Sequence, residues 1–179
     1  MTSSLPLCVD LDGTLIFDDV SRLAFRCLLK KGNVCKLLRI ALSSLGNVAR
    51  IKHEIAAIAD LDPATLRYNE KFLSYVISEK QRGKKLILST GANHKYARCI
   101  ADYLGIFDKV FASSESINLI AEKKAKRLVD EFGRHGFIYA GNSMTDIPVW
   151  KQAAGCLVVS PLSGVLDTLK KEKLKFKLM

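Results

Sequence analysis

The sequence predicts an α/β fold: a doubly wound, parallel five-stranded sheet with an all-helical insertion after the first strand. Three observations predict it. From Gly83 onward, short apolar runs rich in β-formers alternate with helical patterns. Between the first strand and Gly83 every periodic segment has helical spacing. Five polar residues, Asp10, Asp12, Thr90, Lys124 and Asp146, fall just past strands or near helix starts, where open α/β sheets bind ligands.

Leu7, Cys8 and Val9 read as a buried strand that Gly13-Thr14 ends. Val34, Leu37, Leu38, Ala41, Leu42 and Leu45 then recur at helical spacing as one apolar stripe, and Gly46-Asn47 closes that helix. Val48, Ile51, Ile55 and Ile58 start a second stripe. Asp62-Pro63 supplies an N-cap and a first-turn proline for a helix carrying Leu66, Phe72, Leu73, Val76 and Ile77. The alternating part follows: strand Lys85–Leu88, helix Asn93–Leu104 closed by Gly105, strand Lys109–Ala112 and helix Ala121–Phe132 closed by Gly133. Strand Phe137–Ala140, a short helix Thr145–Ala154 and strand Cys156–Val159 complete the pattern. Residues 1–15 and 84–179 thus form a core, and residues 16–83 the helical insertion.

With 179 residues, 49% apolar and 26% charged, the chain has the composition of a globular protein. No apolar run approaches the roughly 18 residues of a membrane span, and Met1–Ser4 lacks the charged start of a signal peptide. Five cysteines (Cys8, Cys27, Cys35, Cys99 and Cys156) without CxxC spacing argue against a zinc site and for a reducing, cytoplasmic compartment. The net charge of +10 is uneven: Val20 to His53 contains no acid but eight Lys and Arg residues, and a second lysine cluster runs from Lys170 to Lys177. Such faces attract anionic partners or simply keep the protein soluble.

Two carboxylates at a strand end, Asp10 and Asp12, can converge on one centre, and a divalent cation or a shared proton relieves their repulsion. Taken singly, the other polar residues have plain structural readings: Thr90 as a helix cap, Lys124 as a surface lysine, Asp146 as a first-turn residue. Their order at successive strand ends argues against coincidence.

Val9-Asp10-Leu11-Asp12-Gly13-Thr14-Leu15, Leu88-Ser89-Thr90-Gly91, Lys124-Ala125-Lys126-Arg127-Leu128 and Gly141-Asn142-Ser143-Met144-Thr145-Asp146 resemble motifs I to IV of the haloacid dehalogenase-like (HAD) hydrolases. The resemblance spans the core and implies its Rossmann-like fold, with residues 16–83 as a type 1 cap. It implies a phosphomonoester hydrolase in which Asp10 is the nucleophile, forming an aspartyl-phosphate, and Asp12 the general acid and base. Mg²⁺ would be held by Asp10, the Asp12 carbonyl, Asp146 and Asn142, the last standing where many of these phosphatases carry an aspartate. Phosphoryl oxygens would be bound by Thr90, Lys124 and backbone N–H groups near Leu11 and Gly91. Ser89 is the alternative to Thr90, and Lys123 the alternative to Lys124.

A narrower resemblance is carried by Ala59–Glu70, Asn118-Leu119 and Tyr139–Ser143, which look like the HAD domain fused to UbiA-type membrane prenyltransferases. It implies a substrate in isoprenoid-lipid metabolism, beside the general expectation of a sugar phosphate. Partners implied are a phosphorylated small-molecule or lipid-linked substrate and, through the basic segments, an acidic membrane surface or a membrane prenyltransferase. Nucleic acid is not expected, because the basic segment has no interleaved exposed aromatics and no reader motif. The competing reading is a non-catalytic phosphate- or partner-binding module on the same fold, against which the intact Asp10/Asp12 pair counts.

Overall fold

The computed structural model describes residues 5–44 and 46–179. Met1–Ser4 and Leu45, on which two of the readings above fall, lie outside the described residues. The fold is α/β, built on one parallel six-stranded sheet. In chain order the elements are β1 (Leu7–Val9), α1 (Val20–Lys30), α2 (Val34–Ser43), α3 (Val48–Ile58), α4 (Glu70–Gln81), β2 (Leu86–Asn93), α5 (His94–Leu104) and β3 (Lys109–Ser113). They continue with α6 (Ala121–Phe132), β4 (Ile138–Gly141), α7 (Ile147–Trp150), β5 (Gly155–Val158), α8 (Val165–Lys171) and β6 (Phe176–Leu178). The strand order is β3-β2-β1-β4-β5-β6, with parallel pairing throughout.

Period-two alternation sorts the strand residues onto two apolar layers. Leu7, Val9, Leu86 and Leu88 pack with Val20, Phe72, Val76 and Ile100 on one side of the sheet. Cys8, Ile87, Tyr139 and Val158 pack with Leu128, Trp150 and Leu169 on the other. All four residues 7, 8, 9 and 87 are at most 1% exposed, which is why the opening strand reads as an unbroken apolar run. Helices closed as the sequence predicts: Gly105 caps α5 in the left-handed conformation, and Asn93 accepts from Lys95 N–H at its start.

The sixth strand is a correction to the expected five. Phe176–Leu178 pairs with Cys156–Val158. An edge strand bonds to a single neighbour and can carry lysines at its exposed positions, so Lys175-Phe176-Lys177 reads as a charge run rather than as a strand. β2 also runs on to Asn93 with a register shift after Ser89, placing Thr90 inside the strand rather than beyond it. The expected helix over Thr145–Ala154 is a 3-10 turn at Met144–Asp146 followed by the single-turn α7. Asp62-Pro63 likewise starts only a 3-10 turn, Pro63–Thr65; α4 begins later, capped by Asn69, whose side chain accepts from Phe72 N–H.

The α2 stripe is the larger correction. Only Leu37 and Ile40 of this helix are buried, while Val34, Leu38 and Leu42 are 48%, 59% and 78% exposed. Helical spacing identifies an apolar face, but not whether anything covers it. On α3 the buried line is Ala49, Ile55 and Ala56, with Val48 and Ile58 exposed.

Candidate active site

The site lies beyond the carboxyl ends of β1 and β4. Asp10 continues the sheet by one bond, its N–H donating to Ala140 O at 2.9 Å. The chain then turns tightly: the N–H groups of Thr14, Leu15 and Ile16 all donate to Leu11 O. Gly13 makes this possible at φ +72°, and a Cβ there would lie 2.3 Å from Asn142 Nδ2. The Asp12 carboxylate accepts from Val20 N–H at 3.0 Å, so it sits at the N-terminus of α1. Phe17 N–H donates to Arg67 O and Asn69 N–H to Leu15 O, tying the turn to the helical insertion.

Behind Asp10 lies a buried chain of polar contacts. Lys124 Nζ donates to Asp10 Oδ1 at 2.8 Å and to the Tyr139 hydroxyl at 2.8 Å. The Tyr139 hydroxyl donates to Asp146 Oδ1 at 2.7 Å, and Lys124 Nζ reaches the same oxygen at 3.5 Å. Asp146 Oδ2 accepts from the N–H groups of Asn142 and Ser143 and from the Ser143 hydroxyl. Gly141 permits this approach: a Cβ there would meet the Asp146 carboxylate at 2.7 Å. Asp146 and Tyr139 are fully buried, and Lys124 and Asp10 nearly so.

A cavity of about 340 Å³ opens over Asp10; Asp12, Gly13, Gly91, Lys124 and Asn142 line its floor, and Phe17, Arg22 and Lys52 approach from the helical side. Of the residues expected from sequence, Asp10, Asp12, Gly91, Lys124 and Asn142 therefore converge on one space. Leu11, Thr90 and Asp146 are fully buried and lie beside or behind it. The Thr90 hydroxyl accepts from Ala92 N–H at 3.0 Å, while the buried Ser89 hydroxyl has no hydrogen-bond partner among the described residues. Lys123 is exposed, whereas Lys124 is the lysine that meets Asp10.

Burial dominates the electrostatics. It raises the Asp10 carboxyl to about 6 against the pull of Lys124, with Asp146 adding to the rise. It raises Asp12 to about 7, opposed by the Val20 N–H bond and reinforced by Asp10 and Asp19. Burial alone would lower Lys124, but Asp10 and Asp146 outweigh it and hold the ammonium above its ordinary value. The Tyr139 hydroxyl is raised by burial and by the same two carboxylates, so it acts as a neutral bridge.

Tyr139, Ser143 and Lys52 belong to this site, although the sequence gives none of them a role in it. Tyr139 sits in an apolar strand pattern; the signal was that a buried tyrosine hydroxyl needs a partner. Lys52 was visible only as one base in a long basic run, yet its Nζ donates to Gly91 O at 2.8 Å and Asn118 Oδ1 at 3.2 Å.

Among the described residues no three His, Cys, Asp or Glu side chains form a ready metal cage. Asp10, Asp12 and Asn142 bring side-chain oxygens to the cavity lining, which also includes Asp18, Asp19, Ser143 and Thr145. Asp146, expected as a direct ligand, has both oxygens engaged by protein donors. Hard oxygen donors with one or two carboxylates fit Mg²⁺, which keeps several waters and takes further oxygens from a substrate phosphate.

No family model matches the chain. It is 34% identical over 156 residues to the uncharacterized protein y4nM of Sinorhizobium fredii; the match covers 87% of this chain but only 30% of that longer protein. Among solved structures, a protein of unknown function from Bordetella pertussis superposes with a TM-score of 0.72 at 14% identity, covering 98% of both chains. A substrate-bound phosphoserine phosphatase superposes with a TM-score of 0.67 at 15% identity, covering 100% of this chain and 94% of the other. A HAD-family hydrolase from Salmonella enterica serovar Typhi gives 0.67 at 16% identity over 92% of this chain and 66% of that one. The chain has the fold of the HAD hydrolases.

Proposed function

We propose that the protein is a phosphomonoesterase that works through an aspartyl-phosphate on Asp10. The observation that carries this is the pairing of a buried, lysine-bound Asp10 with an Asp12 raised to about 7 in one cavity. A phospho-aspartyl analogue of a phosphoserine phosphatase is among the solved structures with this fold, at a TM-score of 0.63 and 15% identity.

In this reading an Asp10 oxygen attacks phosphorus, and Asp12, still protonated near neutral pH, gives its proton to the departing oxygen. Asp12, now a carboxylate, takes a proton from the water that cleaves the acyl phosphate, returning both groups to their starting state. Lys124 offsets the charge gathering on the phosphoryl oxygens, and Thr90, Leu11 N–H and Gly91 N–H are proposed as phosphoryl contacts. Mg²⁺, held by Asp10, the Asp12 carbonyl and Asn142, would supply charge neutralisation and alignment of the phosphate. Asp146 keeps Lys124, Tyr139 and the Asn142 loop in place. Residues 16–83 act as the cap, with Lys52 reaching across to Gly91 and Asn118 of the core. The test is release of phosphate from an aryl phosphate in Mg²⁺; turnover undiminished by excess chelator would refute the metal role, and no turnover would favour the binding module.

The narrower kinship with HAD domains fused to UbiA-type prenyltransferases, and with it a lipid-linked substrate, remains a proposal resting on Ala59–Glu70 and Tyr139–Ser143. A second surface bears on it. Val34, Leu38 and Leu42 of α2 are exposed in a segment that also carries Lys30, Lys31, Lys36, Arg39 and Arg50, of which Lys36, Arg39 and Arg50 line a neighbouring groove. That pairing fits peripheral contact with an acidic membrane. No helix among the described residues is long and apolar enough to cross one. Five free thiols support a reducing, cytoplasmic setting.

A further inference from the structure

The cavity over Asp10 does not stand alone. A second cavity, of about 400 Å³, lies between α1 and α3. Asp19, Arg22 and Lys52 line both, forming a common wall. Beyond that wall Phe25 and Leu29 from α1 and Ile51 and Ile55 from α3 make the lining mainly apolar, with Ser21 and Arg26 also on it. Phe25 and Leu29 are each 42% exposed, one helical turn apart on one face. Large side chains left open in a groove beside a catalytic cavity are a feature of ligand sites.

The chemistry along this path runs from polar through cationic to mainly apolar, with Arg26 the one further base on the apolar part. Asp10, Lys124 and the turn after β1 stand at one end. The Lys52 ammonium, with no carboxylate bound to it among the described residues, stands in the middle with Arg22. Arg22 is 84% exposed, so it leaves the passage open to a bulky group. Phe25, Leu29, Ile51 and Ile55 form the far end.

We infer that this groove receives the hydrocarbon tail of the substrate, and that the substrate is an amphiphile: a phosphate monoester on a single extended apolar chain. The inference rests on the phosphomonoesterase reading for what occupies the Asp10 cavity, and deepens it by naming the leaving group. Complementarity of charge decides the orientation. The anion belongs with Lys124 and Lys52, and only apolar atoms gain by covering Phe25 and Leu29. A sugar phosphate would fill the first cavity and leave the second to water.

The experiment is calorimetric binding of alkylphosphonates, from ethyl to octyl, kept below their micelle concentrations, to the full chain in Mg²⁺. Phosphonates resist hydrolysis, so the result is independent of turnover; hydrolysis of an aryl phosphate, measured in parallel, reports on the phosphatase reading separately. Affinity should rise with each methylene, by up to about fourfold per fully buried one. The Phe25→Ser/Leu29→Ser variant, altered only at exposed positions, should flatten that slope, while Val48→Ser, exposed outside the groove, should keep it. Affinity independent of chain length, absence of binding at every length, or a wild-type slope in the double variant would each overturn the inference.

Discussion

Replacing Tyr139 with phenylalanine tests the buried chain with one oxygen. The ring keeps its edge-on packing against Trp150, at 6.3 Å between centroids, so the perturbation is polar rather than steric. What disappears is a hydroxyl that accepts from Lys124 at 2.8 Å and donates to Asp146 at 2.7 Å. Hydrogen bonds to charged groups contribute about 1.5–3 kcal/mol each. Lys124 and Asp146, already 3.5 Å apart, can close on each other and recover part of that loss. A net destabilisation of about 2 kcal/mol follows, which for a domain of this size lowers Tm by about 4–8 °C. The same closure draws the ammonium away from Asp10, and weakening that contact by about 1.4 kcal/mol in the transition state costs roughly tenfold in kcat. The assays are thermal unfolding and steady-state hydrolysis of an aryl phosphate with kcat and KM separated. A residue that only packs would change Tm and leave kcat alone. Unchanged Tm and kcat in Tyr139→Phe would refute the reasoning.

Asp10→Asn should abolish phosphate release while the variant keeps its circular dichroism spectrum, because an amide cannot form the phosphoenzyme; residual turnover near wild type would assign the nucleophile elsewhere. Asp12→Asn should cripple turnover least for esters with good leaving groups, and equal fractional losses across leaving groups of widely different pKa would contradict its acid role. The same variant makes a stability test. Folding raises the Asp12 carboxyl from 3.8 to about 7, so the folded state holds its proton more tightly than the unfolded chain does. The contribution is full below about pH 4 and is lost as pH rises through 7, an upper bound of about 4 kcal/mol before solvent screening. Metal-free wild type should therefore melt lower at pH 8 than at pH 5, and Asp12→Asn, which retains an acceptor for Val20 N–H, should lose less over that interval. Finally, wild type should co-sediment with acidic but not neutral vesicles at low salt, and neutralising Lys36, Arg39 and Arg50 should weaken this by about 1 kcal/mol per charge; equal binding to both vesicle types would retire membrane contact.

The core was legible because its signals are local. Leu7–Val9, Ile138–Ala140 and the glycine stops at Gly105 and Gly133 each declare themselves within a few residues. Asp10, Asp12 and Lys124 could be brought together from sequence because strand ends in a parallel sheet share one edge. What was not legible depends on tertiary surroundings. Periodicity on α2 found apolar residues, but Leu37 and Ile40 rather than Val34, Leu38 and Leu42 meet the rest of the chain. Phe176–Leu178 becomes a strand only because β5 offers it an open edge. Asp146 reads as a ligand by motif; what the motif does not display is that the compact turn from Gly141 to Asp146 gathers backbone N–H groups around its carboxylate. Lys52 carries no local mark at all; it matters because α3 holds it over Gly91, far away in the chain.

The central placement of β1 also governs how the molecule acquires its site. Leu7 pairs with Leu86 on one side and Ile138 on the other, so neither neighbour exists until long stretches of chain have been ordered. The intervening helices lengthen the closed loop, but its entropy grows only with the logarithm of its length, so they cost little in equilibrium stability. The cost appears in time. Pairings so distant in sequence slow folding. Asp10 follows β1, Asp12 sits two residues on, and Lys124 meets Asp10 only across the completed sheet. Asp10 and Lys124, distant in sequence, therefore meet only when both ends of this long loop are in place.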